Sequence, residues 1–304
     1  MKLAVIMSTY NGEKYIQQQL DSIYSQTLFS YVDIWIRDDG SKDYTLSILK
    51  DNQHLHSNIC IVKGGNIGPA LSFIDLLNQC GDYDYYAFSD QDDVWIDNKL
   101  ELAVNKLKDY QNVPSVYCSN AQLVDSELNY LGRSVYKNDP KTDLFTLSCA
   151  GGILGCTMVI NHSLFDVVKK CVLPHKIVMH DFFLCELCLA VDGNVFYDNV
   201  DTVLYRQHTN NTVGVANGKL SVFRDRFRTI TKKSKISIAD QAAEILNSYV
   251  VPLINEEYYL WLKSVSEYRK NFINRLKLAF STKTKYASFN SSIKLRLALI
   301  LGNR

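Results

Sequence analysis

Short apolar runs alternate with helical patterns through the first 110 residues of the chain. Each of four runs is rich in Val, Ile, Tyr or Phe and ends in polar or glycine-containing residues, as buried strands do. Apolar residues recur every three or four positions after each run, which is the spacing of amphipathic helices. This alternation predicts an α/β fold with a mostly parallel sheet and helices on both faces. The runs span residues 2–7, 32–37, 58–62 and 85–89, and the helical patterns are marked by Ile16, Leu20 and Ile23, by Leu46 and Leu49, by Phe73, Ile74 and Leu77, and by Leu100, Val104 and Leu107 within 97–110.

The pattern changes further along the chain. Segments 116–118 and 121–124 predict mixed strands, residues 182–190 a helix, and residues 202–206 another strand. From Lys219 the sequence consists of helical segments with basic faces. We therefore predict one globular domain over 1–218, with halves of about 1–115 and 116–218, and a helical C-terminal region over 219–304.

Polar or glycine-rich loops follow all four predicted N-terminal strands. Ligands of parallel α/β sheets gather at the carboxyl ends of the strands, so these loops are expected to form one binding site. The loops are Ser8-Thr9-Tyr10-Asn11-Gly12, Asp38-Asp39-Gly40-Ser41, Gly64-Gly65-Asn66-Ile67-Gly68-Pro69 and Asp90-Gln91-Asp92-Asp93.

The last of these loops carries an acidic cluster, Asp90, Asp92 and Asp93, directly after an apolar strand. Three carboxylates at such a place repel one another, and a protein holds them there mainly to bind a cation. Their oxygen atoms suit Mg²⁺ or Mn²⁺, whose remaining coordination positions suit a diphosphate. An acidic turn that caps the helix starting near Asp97 is the alternative. An EF-hand calcium loop is excluded, because Trp95 stands where its required Gly should be.

Composition is that of an ordinary globular protein, with 47% hydrophobic and 21% charged residues in a chain of 304. No apolar stretch approaches the roughly 20 residues of a membrane-spanning helix, and the N-terminal run is too short for a signal peptide, so we expect a cytoplasmic chain. In that compartment the eight cysteines stay as thiols. Cys185 and Cys188 have the spacing of a metal or redox pair, but they lie in an apolar helical pattern, which favours core packing.

The overall charge of +1 hides an asymmetry. Residues 219–304 contain 17 Lys and Arg and 6 Asp and Glu, a net charge of +11, whereas residues 1–218 have a net charge of −10. The acidic part is expected to hold the metal site and the basic part to meet an anionic partner.

The order of these motifs resembles family 2 glycosyltransferases of the GT-A fold, whose sheet is Rossmann-like. The segments that carry the resemblance are Ser8–Gly12, Asp38-Asp39-Gly40-Ser41-Lys42-Asp43, Asn66-Ile67-Gly68 and Asp90–Asp93. Two later segments resemble the branch that contains bacterial rhamnosyltransferases of cell-wall, O-antigen and capsular polysaccharide synthesis. They are Met179-His180-Asp181-Phe182-Phe183 and Tyr205-Arg206-Gln207-His208, and the resemblance covers roughly residues 1–215.

The resemblance implies a nucleotide-sugar site at the four loops. Asp38 or Asp39 is expected against the base or ribose, where a carboxylate can accept the N3–H of uracil or thymine. A turn with a helix cap is the alternative interpretation of residues 38–41. The glycines of 64–68 alone are only weak evidence for a phosphate-binding loop. In the family's DxD element Asp92 is expected to bind the metal directly, while Asp90 contacts the metal or the ribose. The full set expected at the nucleotide sugar is Thr9, Tyr10, Glu13, Asp38, Asp39, Asn66, Gly68, Asp90 and Gln91.

Asp181 is the general base that the resemblance implies, although the residues alone favour a helix N-cap at this place. His208 is expected to complete the metal or pyrophosphate site, with a structural histidine as the alternative. The glycine-rich segment 150–157 matches the family's acceptor side, and a tight β-connection explains its glycines equally well. The residues predicted at the acceptor side are Gly152, Cys156, Trp95 and His180.

The implied activity is inverting, metal-dependent transfer of L-rhamnose from dTDP-L-rhamnose to a saccharide, with UDP-hexoses as alternative donors. A nucleotidyltransferase is a rival of another class, but no basic glycine-rich loop follows the first strand to hold a triphosphate. A catalytically silent module that binds nucleotide sugars is the third hypothesis. No nucleic-acid partner is expected.

Apolar and basic residues interleave in the C-terminal region, for example at Phe223, Phe227, Leu276, Phe280 and Leu297. This pattern predicts peripheral binding to an anionic membrane surface, on the inner face of the plasma membrane where a lipid-linked acceptor would lie. The alternatives are solvated basic faces on helices that pack against the catalytic domain, or a homodimer.

Overall fold

The computed structural model describes residues 1–171, 173–207, 235–285 and 289–304. It contains one mixed α/β body, and the α/β class predicted from the sequence is confirmed. The strands are β1 (Leu3–Thr9), β2 (Val32–Asp38), β3 (Ile59–Lys63), β4 (Tyr85–Ser89), β5 (Val94–Trp95), β6 (Ser115–Val124), β7 (Tyr130–Ser134), β8 (Val159–Asn161) and β9 (Asn194–Arg206). The α-helices are α1 (Ile16–Tyr24), α2 (Thr45–Leu55), α3 (Pro69–Gln79), α4 (Lys99–Leu107), α5 (Leu144–Ala150), α6 (His162–Lys169), α7 (His180–Ala190), α8 (Ile238–Leu246), α9 (Glu256–Glu267), α10 (Phe272–Ala279) and α11 (Phe289–Leu301). Short 3₁₀ turns lie at Phe29–Tyr31, Lys108–Tyr110, Gly155–Thr157 and Val251–Leu253.

The strands form one sheet in the order β3-β2-β1-β4-β8-β6-β9-β5, with β7 paired to β6. Pairing is parallel among β1, β2, β3 and β4 and between β6 and β9. It is antiparallel where β8 joins β4 and β6, and where β5 and β7 attach to their neighbours. The description "mostly parallel" thus holds for the first half of the chain, and the second half contributes the mixed pairing.

Alternation along the central strands divides the core between the two faces of the sheet. In β1, Leu3, Val5 and Met7 join one buried cluster, whereas Ala4 and Ile6 join the other. Successive side chains of a strand point to opposite faces, so a strand covered on both faces is apolar at every position. The first cluster packs under α1 and α4, and the second under α3, α5, α6 and α7.

The second cluster continues without interruption into the C-terminal helices. Ile238 and Ile245 of α8, Leu262 of α9 and Leu299 of α11 are buried in it together with residues of α7. A hydrogen bond from Trp261 Nε1 to Ser148 Oγ, 2.6 Å long, joins α9 to α5. These helices therefore pack on the body of the protein, and the division at residue 218 stays a prediction because it lies outside the described residues.

One predicted strand break is wrong. β6 runs unbroken from Ser115 to Val124, although Ser119 and Asn120 interrupt the apolar pattern. Both side chains find partners inside the protein: the Ser119 hydroxyl lies 2.6 Å from that of Thr202, and Asn120 bonds the backbone of Tyr136. A buried polar side chain is tolerated where it is hydrogen-bonded, so it need not end a strand.

Within the described ranges of the chain, none of the helices has both the length and the apolar composition that crossing a membrane requires.

Candidate active site

Two loops at the carboxyl ends of β1 and β4 are tied together by a side chain. The Gln91 amide accepts a hydrogen bond from the Tyr10 backbone N–H at 2.9 Å and donates one to the Tyr10 carbonyl at 3.1 Å. Gly12 leaves room for this contact, because a Cβ at that position would lie 2.2 Å from Gln91 Oε1. Two residues predicted at the nucleotide sugar therefore contact each other directly, and the Tyr10 ring stays exposed beside them.

The β1 loop is also tied to the loop after β2. Asn11 adopts a positive φ of 50° and exchanges hydrogen bonds with Ser41 and Lys42. Glu13 accepts from the Tyr44 backbone N–H at 2.8 Å through its carboxylate. The Glu13 carboxylate thus orders the start of α2, and its predicted contact with a nucleotide stays a prediction.

Asp38 is the last residue of β2 and Asp39 the first after it, and both side chains are almost fully buried. Asp38 accepts hydrogen bonds from the hydroxyl groups of Thr9 and Ser41 and from the Ser41 backbone N–H. Asp39 forms a buried ion pair with Arg37 and accepts from the backbone N–H groups of Ile67 and Gly68. Both carboxylates organise their loops, and a contact with base or ribose is a further role that stays predicted.

The glycine-rich loop after β3 leads into α3. Gly68 has a φ of 83° immediately before Pro69, a backbone conformation that residues with a Cβ rarely adopt. Asn66 is exposed at this turn. The loop therefore presents Asn66 and the start of α3 at the same edge of the sheet as the acidic cluster, in accord with the predicted arrangement.

Repulsion between carboxylates is evident in the acidic cluster. Burial, followed by the charges of Asp92 and Asp181, raises the pKa of Asp90 to about 7, against the opposing effect of Lys99. Burial and the charges of Asp92 and Asp90 also raise the pKa of Asp93. The cluster is therefore a place where a cation would relieve an electrostatic cost.

Among the described residues, the acidic groups that approach within ligating distance of one another are Asp90, Asp93 and Cys156, whose donor atoms all lie within 4.8 Å. Asp92, the predicted direct ligand, is outside that group, but its charge acts on both neighbours. Burial raises the pKa of the Cys156 thiol well above its ordinary value. A hard cation prefers carboxylate oxygen to a protonated thiol. The residues present therefore fit Mg²⁺ or Mn²⁺ through the carboxylates of Asp90 and Asp93, and a direct bond from Asp92 to the metal stays a prediction.

Asp181 lies in the first turn of α7 and its side chain is partly exposed. The N-cap of this helix is Met179, so the capping position expected for Asp181 is wrong by two residues. Its Oδ1 accepts from the Phe182 backbone N–H at 2.7 Å. Burial raises the pKa of Asp181 to about 6, although backbone hydrogen bonds from Phe182 and Gly155 oppose the shift. A carboxylate of this kind is charged at neutral pH and a better proton acceptor than an exposed one.

Three of the residues predicted at the acceptor side are buried. Cys156 and Trp95 are at most 2% exposed, and His180 is 4% exposed with its ring against those of Phe73 and Phe88. Burial lowers the pKa of His180 to about 3, so its ring is neutral. Contact of these side chains with a sugar stays a prediction. In the structure His180 lies against Gly155, Cys156 lies beside Asp90 and Asp93, and the Trp95 ring lies against Lys99. Gly152 is partly exposed and has a φ of 127°.

Arg206, at the end of β9, joins the acidic cluster to the rest of the site. Its backbone N–H donates to Asp93 Oδ1 at 3.0 Å, and its Nε donates to the Asp92 carbonyl at 2.8 Å. The guanidinium also bonds Gln18 and lies over the ring of Tyr15, 4.4 Å from its centroid. In the sequence Arg206 was noted only as part of segment 205–208, which resembles the rhamnosyltransferase branch. Its contacts with Asp92 and Asp93 could not be predicted, because a lone basic residue in an apolar strand does not reveal its partners.

Lys99 is a second residue that the sequence did not single out. It is fully buried, its Nζ lies 3.5 Å from the centroid of the Trp95 ring, and the pair is four residues apart at the start of α4. Burial lowers the pKa of Lys99 to about 7, and the charges of Cys156, Asp93 and Asp90 oppose this shift. An amine that is partly protonated at neutral pH thus lies against an aromatic ring behind the acidic cluster.

His208 lies outside the described residues, as do Phe223 and Phe227, so their predicted roles stay predictions. The Cys185 and Cys188 side chains are buried free thiols in α7, and their expected core packing is confirmed.

A family model described as "Glycosyl transferase family 2" matches residues 4–167. Among curated proteins, the chain is similar to the dTDP-rhamnosyl transferase RfbG of Shigella flexneri, with 34% identity over 224 residues, covering 68% of this chain and 73% of the relative. It is also similar to an uncharacterized glycosyltransferase of Rickettsia prowazekii (strain Madrid E), with 25% identity over 270 residues, covering 84% and 81%.

Solved structures share the fold at lower identity. Residues 1–349 of TarS from S. aureus in complex with UDP-GlcNAc align at a TM-score of 0.57 and 18% identity, covering 98% of this chain and 79% of that one. The mannosyltransferase PcManGT from Pyrobaculum calidifontis, in complex with GDP-Man and Mn²⁺, aligns at 0.55 and 12% identity, covering 98% and 73%. The predicted GT-A fold with a C-terminal helical region is confirmed.

Proposed function

This chain belongs to glycosyl transferase family 2, and we propose that it is an inverting, metal-dependent enzyme that moves L-rhamnose from dTDP-L-rhamnose to a hydroxyl group of a saccharide. The observation that carries the proposal is the position of Asp181 beside the segment 155–156 that also meets the acidic cluster. Gly155 lies against Asp181, and the Sγ of the next residue, Cys156, lies within 4.8 Å of carboxylate oxygens of Asp90 and Asp93, so a candidate base and a candidate metal-diphosphate site adjoin each other, as a transfer reaction requires.

Asp181 acts as the general base. Its charged carboxylate accepts the proton of the acceptor hydroxyl as that oxygen attacks the anomeric carbon from the face opposite the diphosphate. The bond from the anomeric carbon to the diphosphate oxygen breaks as the new glycosidic bond forms, which inverts the configuration. The pKa of about 6 lets Asp181 be charged near neutral pH and still accept a proton.

Asp90 and Asp92 would hold the divalent cation, which would neutralise charge on the leaving nucleoside diphosphate. Arg206 holds the backbone of the acidic cluster in place through the Asp92 carbonyl and the Asp93 carboxylate. Lys99 balances part of the negative charge from behind. Thr9, Tyr10, Asp38, Asp39 and Asn66 line the nucleotide side of the proposed site, and His208 is proposed as a further metal or pyrophosphate ligand.

L-Rhamnose is the favoured sugar because the relative from Shigella flexneri is a dTDP-rhamnosyl transferase and aligns over two thirds of this chain. The segments 179–183 and 205–208 support the same branch. UDP-hexoses are the alternative donors, since a structural neighbour of the same fold binds UDP-GlcNAc. A module that binds nucleotide sugars without catalysing transfer is the alternative function. The buried hydrogen-bond partners of Asp38 and Asp39 are compatible with transfer and with binding alone.

The proposed acceptor is a lipid-linked saccharide of bacterial surface polysaccharide synthesis, such as a cell-wall or O-antigen precursor. The proposed location of the enzyme is the inner face of the plasma membrane, where residues 219–304 would contact anionic lipid. A homodimer through the same region is the competing arrangement.

Incubation of the full chain with dTDP-L-rhamnose, UDP-glucose, UDP-GlcNAc and GDP-mannose in the presence of Mn²⁺ tests the proposal. We expect dTDP-L-rhamnose to raise the melting temperature most and to be the donor from which nucleoside diphosphate is released. Faster release of nucleoside diphosphate from a UDP-hexose would identify that UDP-hexose as the donor in place of dTDP-L-rhamnose. Stabilisation by a nucleotide sugar without release, in the presence of saccharide acceptors, would favour the binding module.

A further inference from the structure

Helix α10 turns its apolar side away from the protein. Phe272, Ile273 and Phe280 are each more than half exposed, and Leu276 is partly exposed on the same side. At 100° per residue these four positions span about one third of the helix circumference. The opposite side is buried through Leu278, and the small side chain of Ala279 is buried at the edge of the stripe. We call these four residues the outer stripe of α10, an apolar face that is directed toward solvent.

Helix α11 repeats the arrangement. Ile293, Leu297 and Leu301, spaced four residues apart, are each more than 40% exposed. Leu295, Ala298 and Leu299 lie on the other side of the helix and are buried. Two consecutive helices therefore each carry an outer stripe of large apolar side chains, an arrangement that marks an interaction surface.

The charged side chains of segment 268–304 have one sign, and two of them, Lys270 and Lys283, form ion pairs with Glu267 and Glu257 of α9. Residues 268–304 contain nine Lys or Arg residues and no Asp or Glu. Lys277 is exposed at the edge of the α10 stripe, and Lys294 and Arg296 flank the α11 stripe. The nine cations are Arg269, Lys270, Arg275, Lys277, Lys283, Lys285, Lys294, Arg296 and Arg304.

The positive charge and the apolar side chains together indicate which kind of partner binds the stripes of α10 and α11. A second copy of this chain would bring two cationic surfaces against each other, which opposes association through this face. A nucleic acid would match the charge and leave the large aliphatic and aromatic side chains without a partner. An anionic bilayer supplies both, with headgroups for the cations and acyl chains for the stripes.

We propose that the outer stripes of α10 and α11 insert into the surface of an anionic membrane, with the surrounding lysines and arginines at the level of the headgroups. The buried sides of both helices join the hydrophobic core of the protein. The two helices are therefore anchored from behind and present a preformed surface. The proposal identifies the residues that would hold the enzyme at a membrane, and it does not depend on which sugar is transferred.

Sedimentation of the full chain with vesicles tests the proposal. The vesicles contain phosphatidylcholine alone or phosphatidylcholine with phosphatidylglycerol, each at low and high salt. We expect binding to the anionic vesicles only, weakened by salt because the Debye length shortens. The double variant Ile273→Ser/Phe280→Ser should bind at least about tenfold more weakly, because insertion scales with buried apolar area.

The matched control is Tyr31→Ser/Leu55→Ser, which removes two side chains of similar exposure in the N-terminal half and should bind like the unchanged protein. Protection of the backbone amides of 272–280 from hydrogen exchange by anionic vesicles gives a second readout on the unchanged protein. Equal binding of stripe variant and control, absence of that protection, or a dimer that the stripe variant abolishes without any vesicle binding would overturn the proposal. Release of nucleoside diphosphate without vesicles reports separately on the proposed enzymatic function.

Discussion

Gln91 holds Tyr10 through two hydrogen bonds, one in each direction between its side-chain amide and the Tyr10 backbone, at 2.9 and 3.1 Å. The residues are 81 positions apart and stand at the ends of two adjacent parallel strands. This contact sets the distance between the loop expected at the nucleotide and the loop that carries the acidic cluster.

Replacement of Gln91 by Ala should weaken donor binding about tenfold, because two hydrogen bonds of about 1 kcal/mol each no longer position the β1 loop. Isothermal titration with the nucleotide sugar measures the effect. Gln53→Ala is the matched control, since Gln53 donates one hydrogen bond to the Ile59 carbonyl at the far side of α2. Unchanged affinity in Gln91→Ala would mean that the loops keep their spacing without this contact.

Asp92→Ala should abolish transfer and the rise in melting temperature that Mn²⁺ produces, while the metal-free protein keeps its stability. The physical reason is that Asp92 repels Asp90 and Asp93 when no cation is present, so its removal costs the fold little. Activity of the unchanged protein should vanish with EDTA and return with Mg²⁺ or Mn²⁺. Asp109→Ala, at an exposed aspartate after α4, is the control. An active Asp92→Ala protein in chelator would exclude the metal role.

Asp181→Asn should lower kcat roughly 100-fold or more and leave donor affinity intact, because an amide cannot accept the proton. The rate of the unchanged enzyme should fall as the pH drops below about 6, where this carboxyl group becomes protonated. Asp82→Asn, at an exposed position, serves as the control. A loss of only a few-fold would place the base elsewhere and leave Asp181 a structural residue of the first turn of α7.

Glu186→Gln should stabilise the protein at alkaline pH. Glu186 is buried in α7 and accepts a hydrogen bond from Gln241 Nε2 at 2.7 Å, and burial raises its pKa from the ordinary value of 4.5 to about 8. The folded protein keeps a proton here that the unfolded chain loses, so stability falls as the pH rises from about 4.5 to about 8. The glutamine keeps the hydrogen bond and removes the titration.

Melting temperatures from pH 5 to pH 9 measure the effect of that substitution, and the exposed Glu127→Gln provides the control. We expect the curve of Glu186→Gln to be flatter and to lie above that of the unchanged protein at about pH 8. Parallel curves for the two proteins would mean that Glu186 titrates like an exposed carboxylate.

The sequence by itself determined the four parallel strands of the N-terminal half, the helices that follow them and the loops of the candidate site. Strand β4 begins and ends where the apolar run predicted, and β1, β2 and β3 agree within two residues. These features are local, because periods of 2 and 3.6 residues belong to neighbouring positions. The place of the loops at one edge then follows from parallel pairing.

Only the tertiary structure decided which polar side chains have buried partners. Gln91 and Tyr10, Arg206 and Asp93, and Gln241 and Glu186 are each separated by more than 50 residues. His180 was predicted at the acceptor side, yet packing against Phe73 and Phe88 places its ring in the core. The outward direction of the apolar stripe on α10 was likewise decided by Leu278 and Ala279, which pack against the body of the protein. An amphipathic pattern identifies two faces of a helix, and long-range packing determines which of them meets the core.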